Sequence, residues 1–333
     1  MMTMEYKRLV VAGATLPDNV TDRLSAVGID VETVPGDLTV NAYVERLKGA
    51  WGFAYHGFTR LPATMWERLD HLATVCFMGT GYRSFIELPA APSPIVFTYS
   101  PHANASSVAE LAVALMLDLS REVTKHAHQV VDGEGWCEEI TASMLGARIG
   151  IAGMGHVGHE VGRIVSSGFH SRVWYWNRTE HPEFDHLGYS HARSVLDLCE
   201  RVDVLTLHLD YVRGEDDGII GAAELAALGP HGILVNTARA ELVEPVALRE
   251  AIENGVIAGA AFDGYYEQPA PPASRDTHGL LRLFPKLIVT PHCGYASEQA
   301  QQRTAQMVAD NLLAVAQGKK PPHPIPPREA SNV

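Results

Sequence analysis

The sequence predicts an α/β protein made of two doubly wound domains, each containing a parallel sheet. Short apolar stretches alternate with helix-like stretches along both halves of the chain, and this alternation is typical of parallel sheets covered by helices. A glycine-rich loop near the middle joins a strand-like stretch to a helix-like one. The length of 333 residues also favours two domains over a single core.

The first half of the chain predicts short strands separated by short helices. The predicted strands are residues 8–12, 30–34, 52–55, 73–77 and 95–99, and the predicted helices are 19–27, 40–47 and 62–69. Residues 104–128 contain no Gly or Pro and predict one helix of about 36 Å at 1.5 Å per residue. Ser106 or Ser107 is its expected N-cap.

The second half shows a more regular alternation. The predicted strands are residues 148–152, 172–176, 202–208, 232–236, 258–262 and 287–290, and the helices are 156–167, 194–200, 222–228, 245–254 and 296–317. Six strands are the number found in a complete dinucleotide-binding sheet.

The glycine-rich loop fits the pattern G-x-G-x-x-G, and its residues are Gly153, Met154, Gly155, His156, Val157 and Gly158. The first glycine permits a tight turn, the second lets the backbone approach a pyrophosphate, and the third lets the helix pack on the strand. The following helix N-terminus offers N–H groups to phosphates. A tight turn that binds no ligand is the alternative interpretation.

Composition excludes several kinds of partner. A net charge of −13 argues against nucleic acid and anionic membranes, while small anions remain possible. The four cysteines show no C-x-x-C spacing, and with no recognisable signal peptide they favour a reducing cytoplasm. No apolar run reaches membrane-spanning length, and the 16 histidines show no zinc-ligand spacing, so no metal is expected.

Three polar residues lie where predicted strands of the second half end. Arg239, Asp263 and His292 follow or close the strands at 232–236, 258–262 and 287–290. The carboxyl ends of parallel strands form the edge at which open α/β sheets bind ligands. An Arg, an Asp and a His together at the nicotinamide end of a dinucleotide site indicate hydride-transfer chemistry.

Several ordered motifs resemble those of the D-isomer-specific 2-hydroxyacid dehydrogenase family, which includes formate dehydrogenase. They are the stretch 104–110 (NASSVAE), the glycine loop, residues 236–239, Asp263 and Pro291-His292. The resemblance implies two Rossmann-like domains with a cleft between them. Residues 1–103 plus 297–333 would form a discontinuous substrate domain, residues 104–296 the dinucleotide-binding domain, and two chains a homodimer.

The resemblance also implies roles for individual residues. Arg239 would hold the substrate carboxylate and polarise the carbonyl, and a fixed two-pronged guanidinium suits this role. His292 would donate the proton, since imidazole titrates near neutral pH. The predicted substrate-binding residues are His56, Gly79, Thr80, Gly81 and Asn104. Further predicted cofactor-binding residues are Asn177, Arg178, Thr179, His208, Thr237, Ala238, Asp263 and Gly294.

Gln268 departs from the family pattern. Most hydroxyacid dehydrogenases have a Glu five residues after the Asp, before a Pro, and this Glu pairs with the catalytic His. Here that position is Gln268, and Glu267 lies one residue early, so it could substitute only if the loop bulges. Formate dehydrogenase has Gln in the same Gln-Pro-Ala-Pro string, because formate oxidation needs no proton relay. However, formate dehydrogenases have apolar residues at the places where this chain has Thr80 and His56.

The cofactor segment departs as well. NAD-binding domains expect Asp or Glu about 20 residues beyond the glycines, whereas this strand ends in Asn177-Arg178-Thr179. NADP is therefore favoured over NAD. The first hypothesis is an NADP(H)-dependent reductase of a small 2-keto acid, with a carboxylate substrate. The alternatives are a formate-dehydrogenase-like oxidation and a dinucleotide-sensing module without catalysis.

Overall fold

The computed structural model describes residues 6–69, 71–91, 93–133, 136, 138–179 and 182–326. The chain divides into two compact units. Unit 1 comprises Met1–Asn104 and Ser297–Val333, and unit 2 comprises Ala105–Ala296.

The secondary structure follows the expected alternation. The strands are β1 (Lys7–Ala12), β2 (Ile29–Val34), β3 (Gly52–Tyr55), β4 (Thr74–Phe77), β5 (Val96–Thr98), β6 (Arg148–Ala152), β7 (Arg172–Trp176), β8 (Ser190–His191), β9 (Val204–Leu207), β10 (Ile233–Asn236), β11 (Gly259–Asp263) and β12 (Leu287–Thr290). The α-helices are α1 (Asp18–Ser25), α2 (Val40–Leu47), α3 (Ala63–Trp66), α4 (Ala105–Arg121), α5 (Val123–Asp132), α6 (His156–Phe169), α7 (Val195–Cys199), α8 (Ala222–Leu228), α9 (Pro245–Glu253) and α10 (Glu298–Ala316). Short 3-10 helices are formed by Tyr82–Ser84, Pro182–Leu187, Ala240–Leu242 and Leu280–Leu283.

Each unit contains one parallel sheet. The five strands of unit 1 have the order β2-β1-β3-β4-β5, and the seven strands of unit 2 have the order β12-β11-β10-β9-β6-β7-β8. All paired strands within both sheets run parallel. The order in unit 2 is that of a dinucleotide-binding sheet with one strand added after the sixth, and it reverses between β6 and β9. The predicted fold class of two parallel-sheet α/β domains is confirmed.

The central strands are buried on both faces because helices cover each sheet. In unit 1, the aromatic rings of Tyr43, Phe53 and Tyr55 pack together on one face of the sheet. On the other face, apolar residues of α1 and α10 form a core with β1. In unit 2, α4 and α6 contribute to the core on one face, and α7, α8 and α9 contribute to the core on the other.

The single helix predicted for residues 104–128 is wrong. The chain forms two helices, α4 and α5, because Glu122 adopts a left-handed conformation with φ of 50°. The Asp118 carboxylate accepts hydrogen bonds from the backbone N–H and the hydroxyl of Thr124, at 2.7 and 2.6 Å. A side chain that binds a neighbouring N–H competes with the helical hydrogen bond and starts a new helix instead.

Other local predictions also needed correction. The helix predicted at 62–69 shortens to α3, because the N–H groups of Arg68 and Leu69 bond three residues back in turns. Ser107 does not cap α4. It lies inside the helix, and its hydroxyl donates to the Gly294 carbonyl at 2.6 Å. The two-residue strand β8 was missed because it is too short to show a pattern.

Among the described residues, no helix combines the length and apolar character needed to cross a membrane.

Candidate active site

The glycine loop of unit 2 fits a bound dinucleotide at all three glycine positions. Gly153 has a φ of 99°, and a Cβ there would lie 2.6 Å from the His208 carbonyl carbon. A Cβ on Gly158 would lie 2.1 Å from the Gly153 carbonyl oxygen, so only glycine allows α6 to pack this closely. A Cβ on Gly155 would meet no atom of the described residues within 4 Å. The backbone at Gly155 is therefore accessible to a pyrophosphate, and the first turn of α6 follows it.

The residues after β7 are held by specific hydrogen bonds. The Asn177 Oδ1 accepts from the Met154 N–H at 2.6 Å, which ties this segment to the glycine loop. The Arg178 Nη2 donates to the carboxylate of Asp216 and to the Asp210 carbonyl, the latter at 3.3 Å. Asp216 is buried and also accepts from the Val212 N–H at 2.6 Å. The guanidinium of Arg178 is therefore fixed at the end of β7.

His208 follows β9 and lies beside the glycine loop. Its Nε2 is 2.9 Å from the Thr206 hydroxyl, and its Nδ1 is 3.3 Å from the Thr237 hydroxyl. Desolvation lowers the pKa of His208 to about 3, so its imidazole is neutral at physiological pH. Each ring nitrogen is paired with a hydroxyl, which can donate or accept as the neutral tautomer requires.

The loop carrying Arg239 is shaped by Asn236. This buried residue closes β10, its Oδ1 accepts from the Ala238 N–H at 3.0 Å, and its Nδ2 donates to the Arg239 carbonyl at 2.7 Å. Desolvation lowers the pKa of the Arg239 guanidinium, while the charges of Glu241 and Asp210 oppose that shift. A cation that has lost its water gains more from a substrate carboxylate than a solvated one does.

The buried carboxylate of Asp263 braces the loop that carries His292. Its Oδ1 accepts from the Thr290 hydroxyl at 2.6 Å and from the Cys293 N–H at 2.8 Å, and its Oδ2 accepts from the Gly294 N–H at 2.7 Å. A Cβ on Gly294 would lie 2.9 Å from Asp263 Oδ2, so glycine allows this contact. Since a carboxylate has about four acceptor sites, three internal bonds leave room for one more donor.

His292 and Gln268 form a hydrogen-bonded pair. The His292 Nδ1 lies 2.8 Å from Gln268 Oε1, and Gln268 Nε2 donates to the Tyr265 carbonyl at 3.4 Å. Because an amide oxygen can only accept, this arrangement makes Nδ1 of the imidazole the donor. Gly264 permits the approach, because a Cβ there would lie 2.9 Å from Gln268 Nε2. Glu267 is exposed, and the amide of Gln268 is the group that contacts the imidazole.

The predicted substrate residues of unit 1 lie at the ends of its strands. The Thr80 hydroxyl is 3.0 Å from Asn104 Oδ1 and 3.2 Å from the Ser100 carbonyl, and the Gly79 carbonyl accepts from the Ser100 N–H at 3.0 Å. Thr80 is thereby linked to Asn104, the last residue before unit 2. Burial lowers the pKa of His56, with a hydrogen bond to the Gly13 backbone acting in the opposite direction.

Four residues that support the site were given no role in the prediction. Asn236, Gly264, Thr290 and Asp216 hold the loops of Arg239, Gln268, His292 and Arg178 in place. Asn236 and Gly264 flank predicted residues, so the strand-end pattern could have pointed to them. The pairing of Asp216 with Arg178 spans 38 positions in the sequence, and no local pattern indicates it.

One acidic cluster of the described residues has metal-ligating groups. Atoms of Glu122, His126 and Glu139 lie within 4.8 Å of one another. The ammonium group of Lys125 already contacts both carboxylates, at 2.6 and 2.5 Å. The cluster is therefore an ion-pair network built around a lysine.

Fold and site together define a nucleotide-dependent α/β enzyme, and comparisons with known proteins identify its class. Residues 113–294 match the family model described as the NAD-binding domain of D-isomer specific 2-hydroxyacid dehydrogenases. The chain is 31% identical to a glyoxylate reductase of Aeropyrum pernix over 272 residues, which cover 79% of each protein.

Solved structures agree. The TT0316 protein of Thermus thermophilus superposes with a TM-score of 0.82 at 30% identity, covering 96% of this chain and 100% of that one. An NADPH-dependent glyoxylate/hydroxypyruvate reductase of Sinorhizobium meliloti, solved with NADP and malonate, gives a TM-score of 0.80 at 25% identity, covering 98% and 100%.

The chain belongs to the D-isomer specific 2-hydroxyacid dehydrogenase family. It is an NAD(P)-dependent oxidoreductase that transfers a hydride between a nicotinamide cofactor and a small 2-hydroxy acid.

Proposed function

We propose that the protein is an NADP(H)-preferring reductase of small 2-keto acids, with glyoxylate and hydroxypyruvate as the first candidates. One observation carries the proposal. His292 is held through Nδ1 by Gln268 at 2.8 Å, so Nε2 is the ring nitrogen that we assign to the substrate oxygen. The glyoxylate reductase of Aeropyrum pernix, at 31% identity, supports the substrate class.

Arg239 holds the substrate in this proposal. Its desolvated guanidinium pairs with the carboxylate of the keto acid and draws electron density from the adjacent carbonyl. Asn236 fixes the loop through two hydrogen bonds, so the guanidinium is positioned before substrate binds. In unit 1, Gly79, Thr80, Gly81, Asn104 and His56 remain the predicted substrate-binding residues.

The proton comes from His292. The cofactor, when bound, supplies a hydride to the carbonyl carbon, and the imidazole Nε2–H protonates the oxygen that becomes the hydroxyl. Gln268 keeps Nδ1 as a donor in both protonation states. Because the amide is neutral, it orients the ring but stabilises the imidazolium less than a carboxylate does. Asp263 retains acceptor capacity for the carboxamide of the nicotinamide.

Formate oxidation is the second candidate, and Gln268 favours it. Removing a hydride from formate yields carbon dioxide without transfer of a proton, so a neutral partner for His292 is sufficient. The polar Thr80 hydroxyl, linked to Asn104, fits a polar keto acid better than formate. The relatives from Aeropyrum pernix and Sinorhizobium meliloti are named for glyoxylate and for glyoxylate and hydroxypyruvate, and keto-acid reduction is therefore the primary proposal.

The NADP preference rests on the end of β7. Both hydrogen bonds that Arg178 donates use Nη2, so Nε and Nη1 have no partner among the described residues and can donate to a 2′-phosphate. Thr179 adds a hydroxyl, and the three residues directly after the strand, Asn177-Arg178-Thr179, include no carboxylate to repel a phosphate. The NADP bound to the relative from Sinorhizobium meliloti supports this preference.

In Arg178→Gln, the KM for NADPH is expected to rise roughly tenfold while the KM for NADH stays within twofold. An equal change for both cofactors would contradict the assignment.

Initial rates with both cofactors test the function directly. Glyoxylate and hydroxypyruvate are reduced with NADPH or NADH, and formate is oxidised with NADP or NAD. Turnover of keto acids with at least a tenfold preference for NADPH is expected. Formate as the better substrate would replace the primary proposal with the second. Dinucleotide binding without any turnover would indicate a sensing module instead.

We also propose that two copies of the chain associate through unit 2 in the cytoplasm. Large apolar side chains are exposed on α5 and after it, namely Val123, Val130, Val131, Ile140 and Leu145. A cluster of exposed apolar residues of this kind is typical of a protein interface. Light scattering is expected to give twice the chain mass for the wild type. Val131→Glu should shift it towards the monomer, and an unaltered dimer would exclude α5 from the interface.

A further inference from the structure

A pocket of about 570 Å³ lies in unit 2 at the amino-terminal edge of its sheet. Arg148, Arg172 and Ser190 line it, and each is the first residue of its strand, β6, β7 or β8. The glycine loop follows the opposite end of β6. Five residues at about 3.3 Å each separate the two edges by roughly 13–16 Å, so this pocket is distinct from the cofactor site.

The lining of this pocket is cationic. Three arginines, Arg148, Arg172 and Arg201, face it together with the single carboxylate of Glu200. Two of these arginines are paired with carboxylates beside the pocket, Arg148 with Asp203 and Arg201 with Asp197, so the net positive charge there is small. Hydroxyl groups of Ser166, Ser190 and Tyr189 add hydrogen-bonding capacity.

The arginines differ in how they are engaged. Arg148 is paired with Asp203 at 2.5 Å. Arg201 shares Asp197 with Arg193, so two guanidinium groups are balanced by one carboxylate, and its own guanidinium lies over the Trp174 ring. Arg172 is exposed and forms no ion pair within the part of the chain that the structure describes. Ion pairs thus hold Arg148 and Arg201, while the guanidinium of Arg172 has no ion-pair partner among the described residues and its donors can bind a ligand.

We propose that this pocket binds a small multivalent anion, a phosphorylated or polycarboxylate metabolite. Guanidinium groups are the side chains best suited to such ligands, because their planar donors match phosphate and carboxylate oxygens in pairs. Ion pairs at Arg148 and Arg201 restrict these side chains before a ligand binds, which reduces the entropy lost on binding. The shared chemistry is a compact anion with at least two negative charges.

Isothermal titration calorimetry with inorganic phosphate and with citrate tests the proposal. The two probes represent the phosphate and the polycarboxylate sources. Arg172→Glu reverses the charge in the pocket, and Arg282→Glu makes the same change at an exposed residue whose Nε donates to the Ala273 carbonyl. Affinity is expected to fall at least tenfold in Arg172→Glu and to stay within twofold in Arg282→Glu. Whichever probe shows this difference identifies the source of the ligand.

Two outcomes would overturn the proposal. One is the absence of binding by either probe up to 10 mM, on the order of the weakest physiologically useful affinities. The other is binding that survives Arg172→Glu but is lost in Arg239→Ala, which would place the anion at the catalytic guanidinium. Arg172 is exposed, so its replacement leaves the core intact, and Arg172→Gln repeats the test without adding a negative charge. Keto-acid reduction is measured in a separate assay, so failure of the proposed function can be distinguished from failure of anion binding at this pocket.

Discussion

Gln268 Oε1 lies 2.8 Å from His292 Nδ1, so a neutral amide holds the imidazole at the position where a carboxylate usually does. The geometry of a catalytic pair is preserved, whereas the charge that stabilises the protonated ring is missing. A single substitution at Gln268 is therefore expected to shift the pH profile of keto-acid reduction.

Gln268→Glu is expected to extend keto-acid reduction to higher pH. A carboxylate beside Nδ1 stabilises the imidazolium, so the protonated donor persists as the pH rises. The alkaline limb of the kcat/KM profile should move up by about one pH unit or more. Glu267→Gln alters the exposed neighbour and should leave the profile in place. A profile that responds to residue 267 and not to residue 268 would contradict the pairing.

Arg239→Ala is expected to lower kcat/KM for glyoxylate by roughly 10²-fold or more, since a preorganised donor to the developing charge is removed. Arg239→Lys should recover only part of the loss, because an ammonium cannot bind a carboxylate with two parallel bonds. Arg282→Ala, at an exposed position, should match the wild type. Near-normal turnover of the Arg239→Ala variant would exclude the assigned role.

Replacing two glycines of the cofactor loop by alanine should affect different properties, dinucleotide affinity in one case and stability in the other. In Gly155→Ala the added methyl meets no described atom within 4 Å, so the melting temperature should fall only slightly, through the poorer N-cap of α6, while dinucleotide affinity falls. In Gly158→Ala the methyl lies 2.1 Å from the Gly153 carbonyl oxygen, so stability itself should fall by about 1–3 kcal/mol. Calorimetric unfolding and cofactor titration separate the two effects. Equal destabilisation by both variants would show that Gly155 does not face the ligand.

His208 predicts a loss of stability in acid. Its folded pKa of about 3 lies below the unfolded value near 6.5. Between these two values, His208 binds a proton in the unfolded chain but not in the folded one. Its contribution to the free energy of unfolding is therefore complete above pH 6.5 and is lost as the pH falls towards 3. One such group adds a slope of up to about 1.4 kcal/mol per pH unit.

Urea unfolding between pH 7 and pH 4 measures that slope. His208→Asn should flatten it, while the same change at the exposed His231 should not. An identical slope for wild type and His208→Asn would mean that the imidazole gains its proton while the chain is folded.

Local chemistry was predictable from the sequence, whereas side-chain interactions between distant segments were not. The glycine loop requires particular backbone conformations over six residues, and its spacing carries that requirement directly. Counting five residues from Asp263 identified Gln268, and the structure places it on His292. By contrast, Asp118 interrupts an otherwise favourable helical stretch through one side-chain contact with Thr124. Asp216 reaches Arg178 only after the chain has folded.

The three hydrogen bonds that Asp263 accepts from residues 290–294 restrict the movement of the loop that carries His292. The end of β11 and the loop after β12 are joined through one buried carboxylate, so neither can shift without breaking bonds to a charged group. If His292 is the proton donor as proposed, a change in substrate range is expected to arise elsewhere, at positions such as Thr80, whose side chain forms no hydrogen bond with the loop of His292. In the proposed reaction, the residues that hold the proton donor are therefore fixed in place, whereas a residue that selects the substrate can be replaced without moving them.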